Sequence, residues 1–200
     1  SFDSPFDDYL NGDKNSLSLN QIKGMNLFYG KANCSSCHSG SLMTNQKFYS
    51  LGIPQFGPGR TRPFDPYARD VGRMVETDDL NDMYKFKTPA LRNVSLTAPY
   101  GHNGAYPTLE GIIKHHLDPK GMYKIWKPKL ANLPKAKWLE DIDFVTFSDK
   151  MEQKRILSSI EIKPINLNDK EIYYLVQFLK SLTGKSGNNR PLGKPNKVPS

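Results

Sequence analysis

The strongest constraint on this chain is five residues long, Cys34-Ser-Ser-Cys37-His38. Two thiols spaced by two residues and followed at once by histidine form the attachment pattern of a c-type haem. Cys34 and Cys37 would make the thioether bonds to the porphyrin, and His38 would sit beneath the iron as its proximal ligand. Zinc and a dithiol redox motif compete for the same thiols. Zinc needs two more ligands at matched spacing, yet beyond the motif the chain offers only His102, His115 and His116, with no second cysteine pair. A thioredoxin-like pair should open a helix after a buried strand, whereas the residues before Cys34 read as helix and then a glycine-bearing loop.

A buried porphyrin also suits the composition. Only 37% of the 200 residues are hydrophobic, and 15 Gly and 15 Pro favour loops. The length supports one domain with a real core. The expected fold is mainly α, a cytochrome c-like haem domain over residues 1–184 with long loops and at most short strands, followed by a flexible basic tail over 185–200 that carries Arg190, Lys194 and Lys197. The formal charge of +8 is spread along the chain. A basic patch interleaved with aromatics is not seen, which argues against nucleic acid, while a basic face could steer an acidic redox partner. No apolar run reaches the length of a membrane span. Haem c is attached outside the bacterial cytoplasmic membrane, so a periplasmic or otherwise exported location is expected. The absence of a charged and apolar leader at Ser1 reads as a mature or trimmed form.

Ser18-Leu-Asn-Gln21 is a capping box opening a helix with Ile22, Met25, Leu27 and Phe28 near one face, stopped by Gly30. Asn168-Asp-Lys-Glu171 opens a last helix in which Ile172, Leu175, Val176, Leu179 and Leu182 fall at helical spacing, with Gly184 as the stop. A first helix leading into the haem motif and a last helix able to pack across it make a cytochrome c arrangement. Residues 47–54 suggest a short strand, 56–66 a Gly/Pro-rich loop, and 119–164 an irregular excursion of short helices and loop. Residues 1–15 read as an ordered lead-in.

The other side of the iron sets potential and reactivity. Met43, Met74, Met83, Met122, His102, His115 and His116 are the candidates for it. Thr108 reads as the N-cap of a helix that Asp118-Pro119 stops, and within it Leu109, Ile112, Ile113 and His116 form an inward stripe. His115 lies about 100° off that stripe and is expected to face solvent or a partner.

The stretch Phe86-Lys-Thr-Pro-Ala-Leu-Arg-Asn-Val-Ser-Leu-Thr-Ala-Pro-Tyr-Gly-His-Asn-Gly104, followed by Thr108-Leu-Glu, resembles the C-terminal haem domain of bacterial di-haem cytochrome c peroxidases and the related MauG proteins. Ser4-Pro-Phe-Asp7, Gly24-Met-Asn-Leu-Phe28 and Asp70-Val-Gly-Arg73 extend the resemblance. It implies a distal ligand fourteen residues after the motif histidine, Met in the peroxidases and Tyr in MauG. Counted from His102, that position is His116. An imidazole there departs from both patterns and implies a lower potential than a thioether would give. The resemblance further implies a calcium ion on the backbone carbonyls of Thr97 and Pro99, its remaining protein ligand coming from the other haem domain. Arg92 and Arg73 are propionate partners or loop-bracing arginines. His102 would organise the haem edge rather than bind iron.

A di-haem peroxidase needs two attachment motifs, and this chain has one. The expected function is electron transfer through a bis-histidine, low-spin haem c, with a redox partner protein or a second haem domain. A mono-haem peroxidase with a displaceable distal ligand, and a haem-based sensor, are the alternatives.

Overall fold

The computed structural model describes residues 2–57, 69–133 and 142–188. In chain order the described helices are α1 (Pro5–Leu10), α2 (Leu19–Tyr29), α3 (Met74–Thr77), α4 (Leu109–Leu117), α5 (Pro119–Ile125), α6 (Val145–Ser148), α7 (Lys150–Ser159), α8 (Asp169–Lys180) and α9 (Lys185–Asn188). Two short strands, β1 (Phe48–Tyr49) and β2 (Phe86–Lys87), pair antiparallel. The protein is therefore mainly α, with a cytochrome c-like fold, long loops and one minimal sheet. Most of the expected Gly/Pro-rich loop and the tail beyond Asn188 lie outside the described residues.

Two compact units divide the chain, one made of Ser1–Thr44, Ala90–Thr97 and Asn168–Ser200, the other of Asn45–Pro89 and Ala98–Leu167. In the first, α2 crosses α8. Both begin at full capping boxes, Ser18 with Gln21 and Asn168 with Glu171, so local sequence fixes where each starts. Gly24 sets their separation, because a Cβ there would overlap the carbonyl oxygen of Tyr174. Phe28 and Phe6 pack on Phe178 with ring centroids 5.1 and 5.2 Å apart. The lead-in is ordered, as expected, because Ser4 and Asp7 form a third capping box at the start of α1. Helix α8 ends at Lys180, short of Gly184. Ser181 turns back there, its backbone N–H bonding Phe178 O at 2.9 Å and its hydroxyl the same carbonyl at 2.6 Å, and Gly184 N–H bonds Asn93 Oδ1 at 2.8 Å instead of closing a helix.

The second unit holds β1, β2 and α3 to α7. The described part of residues 119–164 forms short helices, α5 to α7, in keeping with the expected excursion of short helices and loop, and it also contributes to the unit's interior. Tyr123 and Ile156 join Val71, Met74 and Tyr84 in one apolar cluster. Trp126 stacks on Phe56 at 5.4 Å and donates its indole N–H to Ala105 O at 2.9 Å. Glu152 is buried beside this cluster, where Tyr84 Oη donates to it at 2.5 Å and Arg155 and Arg69 approach at 3.1 and 3.4 Å. The expected strand shrinks to Phe48–Tyr49. Ser50 N–H leaves the ladder for Glu161 Oε2 at 3.0 Å, and Gly52 takes a left-handed φ of +62°.

Candidate haem-binding residues

In the first unit α2 delivers the chain to the cysteine motif. Gly30 caps the helix, Asn33 turns left-handed at φ +51°, and a single 3-10 turn carries Cys34–Ser36. The turn closes through Cys37 N–H to Cys34 O at 3.2 Å and His38 N–H to the same carbonyl at 2.9 Å, so one carbonyl organises all three motif residues. Both cysteines are free and partly buried. Burial pushes the Cys34 thiol up to about 12. A dithiol redox centre needs the opposite shift, toward thiolate at neutral pH. The motif follows α2 and a turn rather than a strand, which also argues against the thioredoxin-like alternative.

His38 Nδ1 lies 3.1 Å from the carbonyl oxygen of Met43. A carbonyl only accepts, so the ring nitrogen must donate. That bond places the proton on Nδ1, so that Nε2 is the nitrogen with the lone pair a metal would need. Met43 itself, a candidate iron ligand by sequence, is 1% exposed, and its sulfur receives the Tyr29 hydroxyl at 3.7 Å.

In the second unit Thr108 caps α4 as expected, accepting from Gly111 N–H at 3.1 Å, and Asp118 ends it while also capping α5. The two adjacent histidines then part company. His116 is half-buried with Ile112 and Ile113, and its Nδ1 lies 2.8 Å from Ile112 O, the same N–H-to-carbonyl arrangement that His38 shows. His115 was expected at the surface and is instead fully buried, at 0% exposure. Its Nε2 donates to Leu51 O at 2.7 Å, so in the neutral ring Nδ1 accepts from Tyr106 Oη, also at 2.7 Å. Both nitrogens are thereby used inside the protein. Burial, above all, pushes its pKa down to about 4 and keeps the ring uncharged. The apolar stripe could not reveal this, because Leu51 and Tyr106 supply the partners from outside the helix.

Met74 is in the apolar cluster and Met83 packs against it. His102 is exposed and lays its ring on Phe86, 3.5 Å between centroids and 7° from parallel. Arg73 pairs with Asp82 at 2.9 Å and covers the Phe48 ring at 4.2 Å. Arg92, in the first unit, forms an ion pair with Asp7 at 2.8 Å, bonds Ser4 Oγ at 3.3 Å and donates from Nε to Ser41 O at 2.9 Å. Both arginines thus brace their own units. Thr97 and Pro99 are exposed and belong to different units. Among the described residues no group of three or more His, Cys, Asp or Glu side chains could hold a metal ion. The contributions of Asp7, Tyr106 and the Met43 and Leu51 carbonyls were missed by sequence reasoning. Only Asp7 had a signal, as the third residue after a helix-capping serine.

No protein-family model matches the chain. Cytochrome-c peroxidase IdrP1 of Pseudomonas sp. (strain SCT) is 35% identical over an alignment 172 residues long that covers 76% of this chain and 45% of that protein. Cytochrome c peroxidase Ccp of Escherichia coli is 43% identical over 113 residues, 56% of this chain and 23% of its own length. Among solved structures, a MauG-like protein associated with microbial copper homeostasis superimposes with a TM-score of 0.61 at 26% identity, over 93% of this chain and 53% of that one. The chain spans less than half the length of the curated relatives it matches. The motif, the mainly α fold and these relatives place it as a haem domain, of the C-terminal type, in the bacterial di-haem cytochrome c peroxidase/MauG family.

Proposed function

We propose that this domain carries one covalent haem c and transfers electrons through an iron ligated by two histidines. Cys34 and Cys37 would hold the porphyrin and His38 the proximal face. The residues fit the group: the motif is gathered on one turn, and burial keeps the Cys34 thiol from being poised as a thiolate. When bound, the haem supplies reversible one-electron chemistry at iron.

The observation that carries the second ligand is the shared bonding of His38 and His116. Each donates Nδ1–H to a main-chain carbonyl, which fixes the tautomer whose Nε2 can ligate a metal, while Nε2 of His115 donates to Leu51 O and is therefore protonated. The half-buried apolar stripe of Ile112 and Ile113 lies beside His116 on α4, a surface suited to a porphyrin face. Two filled axial positions favour electron transfer over peroxide chemistry, because no coordination site is open. The peroxidase activity carried in the relatives' names belongs, in this reading, to the whole protein, with a second haem domain or a redox partner protein completing it. Export to the periplasm follows from where haem c is attached. The resemblance also assigns calcium to the Thr97 and Pro99 carbonyls, which calcium chelation followed by a thermal melt would test.

Intact mass should exceed that of the polypeptide by one haem, and the colour should survive acid-acetone extraction; freely extracted haem overturns the reading. The visible spectrum should be low-spin without a methionine–iron band toward the red. His116→Ala should keep the haem attached and convert the iron to a high-spin or water-ligated form. A wild-type-like low-spin spectrum in that variant would remove His116 from the iron.

A further inference from the structure

The Met43 carbonyl accepts from the ring of His38, the proposed proximal ligand, and it belongs to a residue in an uncommon conformation. Met43 is left-handed at φ +57°, a region that costs a non-glycine residue free energy unless its surroundings hold it there. Three sets of contacts do so within the same unit. The turn closes on itself, with Met43 N–H to Gly40 O at 3.0 Å and Thr44 N–H to Ser39 O at 2.8 Å. Tyr29 Oη reaches the buried Met43 sulfur at 3.7 Å. Arg92 Nε donates to Ser41 O at 2.9 Å, two residues before Met43.

Arg92 can act as a fixed post because its own position is determined. Its side chain is 9% exposed and that of Asp7 7%, and the pair is joined at 2.8 and 2.9 Å to the two carboxylate oxygens. Phe2 and Phe6 flank the guanidinium at 5.1 and 5.9 Å. Asp7 in turn belongs to the capping box of α1. A planar guanidinium can bond a carboxylate through one nitrogen and a carbonyl through another, which a lysine ammonium cannot reproduce.

We infer that Arg92 and Asp7 are positioning residues for the proximal ligand: through Ser41 they pin the 39–44 turn so that the Met43 carbonyl holds the His38 ring with its proton on Nδ1. This rests on the assignment of His38 to the iron. A histidine donating Nδ1–H strongly is the better electron donor through Nε2 and stabilises the ferric state. Loosening the turn weakens that bond and favours ferrous iron.

The test uses the haem-loaded chain, with the midpoint potential and the solvent-exchange rate of the His38 ring N–H, by NMR, as readouts. Arg92→Lys keeps a positive charge beside Asp7 but loses the simultaneous bond to Ser41. Asp7→Asn removes the carboxylate. Both should accelerate N–H exchange about tenfold or more and move the ferric–ferrous equilibrium about threefold toward ferrous, because the partner of the ring N–H tunes the basicity of Nε2. Tyr29→Phe, which buries no unpaired charge, should move both in the same direction by less. Lys185→Ala breaks the exposed Lys185–Asp8 pair on the same helix α1 without touching the turn, and should change neither.

Unchanged exchange and unchanged potential in folded Arg92→Lys protein overturn the inference. If neither charge variant incorporates haem, Tyr29→Phe decides, and wild-type values in it overturn the inference too. Failure of the underlying assignment looks different: His38→Ala would then retain the wild-type spectrum.

Discussion

His115 and His116 follow one another on α4, yet their chemistry is set by what meets each ring nitrogen. His115, with both nitrogens bonded to Leu51 and Tyr106, is a packing residue; His116 donates Nδ1–H to a carbonyl of its own helix, the tautomer that the proposed iron ligand requires. His115→Ala should therefore destabilise the fold by about 2–4 kcal/mol, since it opens a cavity and strands the buried Tyr106 hydroxyl and Leu51 carbonyl. Chemical denaturation measures the loss, and the spectrum of the remaining folded protein should stay low-spin. Tyr106→Phe should cost less, about 1–2 kcal/mol, because only His115 Nδ1 loses its partner. Sequence periodicity identified His116 as a stripe residue, but it misjudged His115. A hydrophobic stripe reports which face is apolar, whereas the burial of a polar side chain depends on donors and acceptors brought by distant residues.

At the scale of elements, the legible features were those specified locally. Capping boxes at Ser18 and Asn168 fixed the starts of α2 and α8, and Thr108 fixed the start of α4. Nonlocal specifications escaped: the pairing of β1 with β2, the early end of α8, and the packing of Tyr123 and Ile156, from the segment read as an excursion, into the apolar cluster. Gly24 shows how one residue joins the two kinds of information. It is a poor helix former in the middle of α2, and its benefit is visible only when α8 is present. Gly24→Ala should cost about 3 kcal/mol, because the added methyl meets backbone and cannot be relieved by a rotamer change, and the thermal midpoint should fall with it. In the other unit, Glu152→Ala should be comparably damaging, about 3–5 kcal/mol, since it leaves Arg69 and the buried Tyr84 hydroxyl without their carboxylate. Glu152→Gln should recover part of that loss in the same melt.

At the scale of the whole molecule, the chain carries one attachment motif and spans less than half the length of the curated relatives it matches. Peroxide reduction needs an iron with an open position, and the proposed histidine pair leaves none. The isolated, haem-loaded chain should consequently exchange electrons quickly while turning over peroxide far more slowly than an intact di-haem enzyme. Turnover comparable to such an enzyme, measured with a reducing dye, would favour the mono-haem peroxidase alternative. The formal charge of +8 adds a condition on the electron exchange. Attraction between a cationic protein and an acidic redox partner acts before contact and is screened over about 10 Å at 0.1 M salt but over about 3 Å at 1 M. The bimolecular rate with an acidic electron donor should therefore fall as salt rises over that range, and the rate with a cationic donor should rise. If both rates stay flat while the haem remains low-spin, the charge is a solvated surface with no part in steering, and partner selection must lie in shape alone.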